Sequence, residues 1–197
     1  MKRIIFSILV ALIAVAKLAD CGQVIDSRQI RASGLVLPIL VSRLEPDILP
    51  LDIAVISNGP SADGFIINRI PVFLSVETNN PPITIEFSTD TPNGNLYSGE
   101  RDFLPTYYAI APIGSPAPMS IEARRRWISG SSLSQYQEHI QTRKYERNIY
   151  VKVSLPGGIQ PGGRKKKYST RVRATIKDKN STNINIVEFT AWTEVVK

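Results

Sequence analysis

The sequence predicts an all-β protein, an antiparallel β-sandwich of the immunoglobulin-like kind. Short apolar stretches with period-two alternation recur along the chain, and clusters of Gly, Pro, Asn and Ser punctuate them. Helical character is confined to one short stretch, so the crossover helices of a parallel sheet are missing.

The elements follow in order. "GLVLPILVSRL" (34–44) is apolar on both sides and then turns polar. Pro38 removes a ladder donor there, which predicts an edge strand or a bulge. "LDIAVI" (51–56) predicts a short strand ended by Ser57-Asn58-Gly59-Pro60. "GFIINRIPVFLSVET" (64–78) predicts one β-branched and aromatic strand, stopped by Asn79-Asn80-Pro81-Pro82. "ITIEFST" (83–89) alternates Ile83, Ile85 and Phe87 against Thr84, Glu86 and Ser88, a half-buried strand. Pro92-Asn93-Gly94-Asn95 predicts a turn, and "DFLPTYYAIAPI" (102–113) a strand interrupted by Pro105.

Residues 114–148 predict a long insertion. It holds one short helix from Ser120, a plausible N-cap, to Ile128, broken by Gly130 to Ser134. Strands resume with "NIYVKVSL" (148–155). "PGGIQPGGRKKKY" (156–168) then predicts a hairpin connection into "KYSTRVRATIKD" (167–178). In that strand Tyr168, Thr170, Val172, Ala174 and Ile176 line one face, and Ser169, Arg171, Arg173, Thr175 and Lys177 the other. "NINIVEFTAWTEVV" (183–196) predicts a terminal strand.

The first residues predict export. Lys2 and Arg3 precede an apolar run from Ile4 to Val15, too short to span a bilayer as a helix. Ala14-Val15-Ala16 supplies small residues for signal-peptide cleavage after Ala16, with Ala19 as the alternative. Residues 1–16 are thus read as a signal peptide, 17–34 as an N-terminal extension and 35–197 as the β-sandwich domain, with no transmembrane segment in the mature chain. Cys21 raises lipidation, but Asp20 before it is neither small nor neutral. As the single cysteine it forms no internal disulfide, so the core carries the stability. The chain has 24 Lys and Arg against 17 Asp and Glu, a net charge of +7. Such an excess favours anionic surfaces without naming a partner. Asn180-Ser181-Thr182 has the form of a glycosylation acceptor, meaningful only in a eukaryotic secretory pathway.

Two basic clusters are candidate anion sites. Arg124, Arg125 and Arg126 beside Trp127 put three guanidiniums next to an indole, which suits sulfate, sialic acid or phosphate. The plainer reading is a solvated helix face with Trp127 packed inward. Arg164, Lys165, Lys166 and Lys167 follow the Pro-Gly-Gly pair, either as a solvated loop tip or as an anion-binding tip. Nucleic acid fits poorly, since the chain is exported and the loop lacks aromatics for base stacking. Catalysis has little support. The single histidine, His139, lies in a polar segment, no residues have metal-ligand spacing, and no nucleotide or nucleophile motif occurs. The expectation is no enzyme, no metal and no cofactor.

Three stretches carry a resemblance. "VSRLEPDILPLDI" (41–53) resembles the segment after the first strand in subunits of colonization-factor fimbriae, assembled by the chaperone–usher pathway. "FLSVETNNPPITIEFSTDTP" (73–92) is similar to their next hairpin, and "IYVKVSLPGGIQPGGRKKKYSTRVRATI" (149–176) to their closing pair. The departures are the insertion at 114–148, the stretch at 22–34, the basic charge and the residues after 178. The resemblance implies an incomplete sandwich. A periplasmic chaperone and then the N-terminal extension of a neighbouring subunit would fill it, with an outer-membrane usher directing the chain from periplasm to a surface fimbrium. This is strand addition to an open edge. Leu35, Leu37, Ile39 and Val41 are the donor-strand candidates, with Val24 to Ala32 as the alternative. A host glycan or anionic surface is a further candidate partner. The competing expectation is a self-contained secreted or periplasmic sandwich that binds an anionic glycan or lipid head group through its arginines. In that case 183–196 would supply the strand that such a subunit lacks.

Overall fold

The computed structural model of this chain describes residues 37–56, 64–115, 127–155, 164–180 and 183–196. The signal peptide, the extension at 17–34, Leu35, Arg124 to Arg126, most of the expected helix and the turn at 156–163 lie outside the described residues.

In chain order the first strands are β1 (Leu40–Glu45), β2 (Ile48–Pro50), β3 (Ile53–Ile56), β4 (Gly64–Ile67), β5 (Val72–Thr78) and β6 (Ile83–Thr89). Next come β7 (Leu96–Ser98), β8 (Asp102–Leu104), β9 (Thr106–Pro112) and β10 (Ile128–Ser129). A short helix, α1 (Gly130–Leu133), precedes β11 (Gln137–Ile140), β12 (Lys144–Leu155), β13 (Lys165–Asp178) and β14 (Ile184–Val196).

These strands form two sheets. In the first, β12 is central. β5 and then β4 pair along one of its edges, and β9 along the other. β1 lies outside β5, β3 outside β4, and β10 outside β9. The second sheet has the order β11-β6-β13-β14-β2, with β7 beside β13 and β8 beside β7. Every pairing is antiparallel except β14 with β2. The all-β sandwich read from the sequence is the fold.

Its core is the space between the sheets. Leu74, Val76, Ile149, Val151 and Val153 face it from the first sheet, and Ile83, Ile85, Tyr168, Val172 and Phe189 from the second. Each is essentially buried, and each such side chain contributes about 1.5–3 kcal/mol. The alternation expected in β13 holds. Tyr168, Thr170, Val172, Ala174 and Ile176 are buried, while Arg171 and Arg173 are exposed.

Several elements differ from expectation. β1 begins two residues after Pro38, and its one sheet partner is β5, so it is the edge strand that the proline requires. The expected strand over 64–78 is two strands. Between them lies Asn68, only 1% exposed, which substitutes side-chain bonds for the ladder. Its Oδ1 accepts the N–H of Val151 at 2.7 Å, and its Nδ2 donates to the Ile70 carbonyl at 2.7 Å. Pro71, without an N–H, follows. In the insertion, Gly130–Leu133 is helix where a break was expected, and β12 begins at Lys144, within residues read as loop.

The larger correction concerns connection. β12 and β13, read as a hairpin across the Pro-Gly-Gly pair, belong to different sheets. β12 already has partners on both edges, so the chain crosses the sandwich there. The stretch at 73–92 also crosses, from β5 in one sheet to β6 in the other. The long hairpin is β13 with β14.

Candidate functional site

Strand exchange would act at the first and last strands. β14 pairs with β13 along its length, from Lys177↔Ile184 to Lys165↔Val196. Its other edge runs parallel to β2, from Thr190↔Ile48 to Trp192↔Pro50. Two main-chain bonds extend that seam: Thr190 N–H to the Asp47 carbonyl at 2.7 Å, and Leu51 N–H to the Trp192 carbonyl at 2.9 Å. Phe189, Ala191 and Val195 are buried in the core, and the hydroxyl of buried Thr193 donates to the Leu51 carbonyl at 3.1 Å. Both edges of β14 are therefore paired within the chain.

The donor-strand candidates lie on β1 and just before it. Leu37, Ile39 and Val41 are 68%, 57% and 56% exposed, and the alternate residues Leu40 and Leu44 pack on the core. A strand's side chains alternate between faces, so seating Leu40 and Leu44 inward turns Ile39 and Val41 outward. The segment is tied to its own domain. Ile39 N–H donates to Asn79 Oδ1 at 2.6 Å, Asn79 Nδ2 to the Leu37 carbonyl at 2.9 Å, and Asn79 N–H to the Ile39 carbonyl at 3.2 Å.

Of the first basic cluster only Trp127 is described, and it lies on a different sheet from Lys165 to Lys167. Trp127 packs against Ala109, Ala111 and Tyr150 on the outer face of the first sheet. The Lys152 ammonium lies 4.5 Å from the Trp127 ring centroid, 5.0 Å from that of Tyr107 and 5.5 Å from that of Phe65. This cation–aromatic group holds rings from β4 and β9 around one strand of β12. Lys165 to Lys167 begin β13 and pair with Val196, Val195 and Glu194, so they are strand residues and not a loop tip. Lys166 Nζ bonds Asp102 at 2.8 Å, and Lys167 Nζ lies 4.8 Å from the Trp192 ring. Farther along the outer face, Arg173 and Arg171 lie 2.6 and 3.9 Å from Glu188, and Lys177 lies 2.6 Å from Glu86. Exposed pairs of this kind contribute about 0–1 kcal/mol each. They do neutralise much of the cationic face.

A cleft that the sequence reading did not single out lies between the turn at Pro92–Gly94 and α1. It holds about 360 Å³ and is walled by Asn93, Asn95, Thr106, Tyr107, Ser129 and Ser131. Two glycines bring its sides together. A Cβ on Gly94 would meet the Gly130 carbonyl oxygen at 2.6 Å, and Gly94 also has φ of +61°. The buried Tyr108 hydroxyl donates to the Gly94 carbonyl at 2.7 Å. Burial, with the Asp90 charge second, pushes that phenol's pKa up and keeps it a donor. Asn95 Oδ1 accepts the Thr106 N–H at 3.0 Å, and Thr106 Oγ1 accepts the Leu96 N–H at 2.9 Å. In the sequence these residues read only as a turn, a strand and a helix break. Loop residues far apart in sequence carry no joint signal until the fold brings them together.

Among the described residues no three His, Cys, Asp or Glu are placed to hold a metal ion. His139 is exposed, with Nδ1 3.2 Å from the Thr84 hydroxyl. No helix of the described residues is long and apolar enough to cross a membrane.

Fold and edge geometry together define a class: an all-β sandwich in which β14 is paired on both edges within the chain. No family model and no curated protein matches the chain. Solved structures similar to it include fimbrial subunits. The adhesin CfaE of CFA/I fimbriae of enterotoxigenic Escherichia coli matches at 12% identity and a TM-score of 0.41, covering 76% of this chain and 45% of CfaE. The CooA pilin subunit of enterotoxigenic Escherichia coli matches at 10% identity and a TM-score of 0.39, covering 80% and 99%. A PapD-like domain of human CEP192 matches at 8% and 0.38, covering 86% and 99%. Likenesses at this level place the chain in no family.

Proposed function

We propose that this chain is an exported, self-contained β-sandwich of the fimbrial-subunit kind, which acts at the bacterial surface by binding and not by catalysis. The observation that carries the self-contained part is β14, seated between β13 and β2 by main-chain bonds on both edges. The signal-peptide pattern at residues 1–16 supports export, and the resemblance of residues 41–53, 73–92 and 149–176 supports the fimbrial part. In this reading a strand donated by another subunit has no vacant position in the second sheet. A donor segment offered to a neighbour comes from residues 17–34, because 37–45 are held by β5.

Urea unfolding of residues 37–197, with and without a peptide of residues 22–44, tests the proposal. The expected result is one cooperative transition of a monomer whose midpoint ignores the peptide. A fragment that is unstable alone, and whose midpoint the peptide raises, would instead be a strand-accepting subunit that needs a periplasmic chaperone. A second reading, an anionic glycan or lipid head group at Arg164 to Lys167, rests on their exposure. It is the weaker, since Lys166 and Lys167 already have intramolecular partners.

A further inference from the structure

We propose that the cleft beside Tyr107 is a binding site for a neutral saccharide, with one pyranose ring as the unit recognised. The inference stands apart from how the chain assembles. Its first ground is the chemistry of the lining. Asn93, Asn95, Ser129 and Ser131 supply amides and hydroxyls, Tyr107 supplies an aromatic ring, and among the described residues none of the lining carries a charge. A pyranose presents a ring of hydroxyls, each both donor and acceptor, and C–H faces that pack on aromatic rings. Amides and hydroxyls, which both donate and accept, match the first, and an aromatic ring matches the second. A lipid chain would face mostly polar groups.

The second ground is capacity. Asn93 makes no side-chain hydrogen bond to another described residue and is exposed at the cleft, so its amide keeps a donor and an acceptor for a ligand. Asn95 spends its Oδ1 on the Thr106 N–H and keeps its Nδ2. Ser129 Oγ donates to Ser132 Oγ at 2.9 Å, so in the 3.0 Å contact Ser131 donates to Ser129, and both oxygens keep acceptor capacity for a ligand. The cavity of about 360 Å³ falls at the small end of the roughly 300–1,000 Å³ typical of ligand sites.

The third ground is rigidity. Gly94 and Gly130 lock the two walls by backbone contact, and Tyr108 and Thr106 fix the floor by buried hydrogen bonds. Lys152 lies 5.0 Å from the Tyr107 ring centroid and helps to hold that ring. A preformed site loses little ordering entropy on binding.

Amide chemical-shift titration of the isotope-labelled whole chain tests this. The probes are the methyl glycosides of β-galactose, β-glucose, α-mannose and β-N-acetylglucosamine, each up to about 50 mM, enough to see a Kd near 1 mM. The expected result is saturable shifts at Asn93, Gly94, Asn95, Gly130 and Ser131 with at least one probe. Tyr107→Leu should weaken that binding about tenfold. Ser131→Ala, on an exposed position that leaves the fold intact, should weaken it about fivefold. The proposal is overturned if none of the glycosides moves those amides, or if the shifts lie elsewhere on the sandwich. A Kd unchanged by both substitutions overturns it as well.

Discussion

At the scale of single residues, a few contacts do what the strand pattern cannot. Gly130 is one. A Cβ there would press on the Asn93 carbonyl and come within 2.7 Å of the Gly94 carbonyl oxygen, both of them backbone. Gly130→Ala should therefore destabilise the sandwich by about 1–3 kcal/mol, read as a lowered urea midpoint. Tyr168 is another. Its hydroxyl donates to Asp102 Oδ2 at 2.9 Å, and burial, with that bond second, pushes its pKa from 10.0 up to about 12. The folded phenol thus holds its proton more tightly than the unfolded one. Its stabilisation is complete below pH 10.0 and disappears as pH rises through about 12. Unfolding free energy should fall across that window, with tyrosinate absorbance rising alongside unfolding. Tyr168→Phe should reduce the slope, the rest coming from other buried phenols such as Tyr108, and an unchanged slope in that variant would assign the dependence to those groups alone.

At the scale of elements, the first and last strands decide the architecture. β14 buries Phe189, Ala191 and Val195 and completes a sheet that would otherwise expose one edge of β13. A chain ending before residue 183 should lose its cooperative transition, and a peptide of residues 183–196 should restore it. A truncated chain that stays folded without the peptide would mean that β14 is dispensable. The strands themselves were largely legible in the residues. β6 and β13 follow their alternation, and Pro38 and Pro105 fall outside strands because each lacks an N–H for the ladder. The split between β4 and β5 was hidden, because it depends on Asn68 reaching Val151, 83 residues away. β2 and β7 were missed for a similar reason. Each is three residues long and is a strand by virtue of the neighbour it meets.

At the scale of the whole molecule, the described sandwich has what an independently folding domain needs: a contiguous core and both sheets closed along β12 and β13. That is why residues 37–197 are expected to unfold as one unit without a donated strand. The +7 charge is less telling at this scale than in the composition, since Arg171, Arg173 and Lys177 each face a carboxylate. Of the candidate sites, the basic residues stand out in the sequence because they are contiguous. The cleft does not, because Asn93, Tyr107 and Ser131 come from separate segments.

By itself the sequence determined the class of fold, most of the strands and, in β6 and β13, which residues share a face. Those follow from the period of apolar residues and from the conformational limits of proline and glycine, both of which act over a few neighbouring positions. Only the tertiary structure decided which strand pairs with which, that β12 and β13 separate into different sheets, and that β14 sits between β13 and β2. Pairing partners compete across the whole chain, and alternation alone does not choose among them. The cleft beside Tyr107 exists only because that competition brings the turn after β6 against α1.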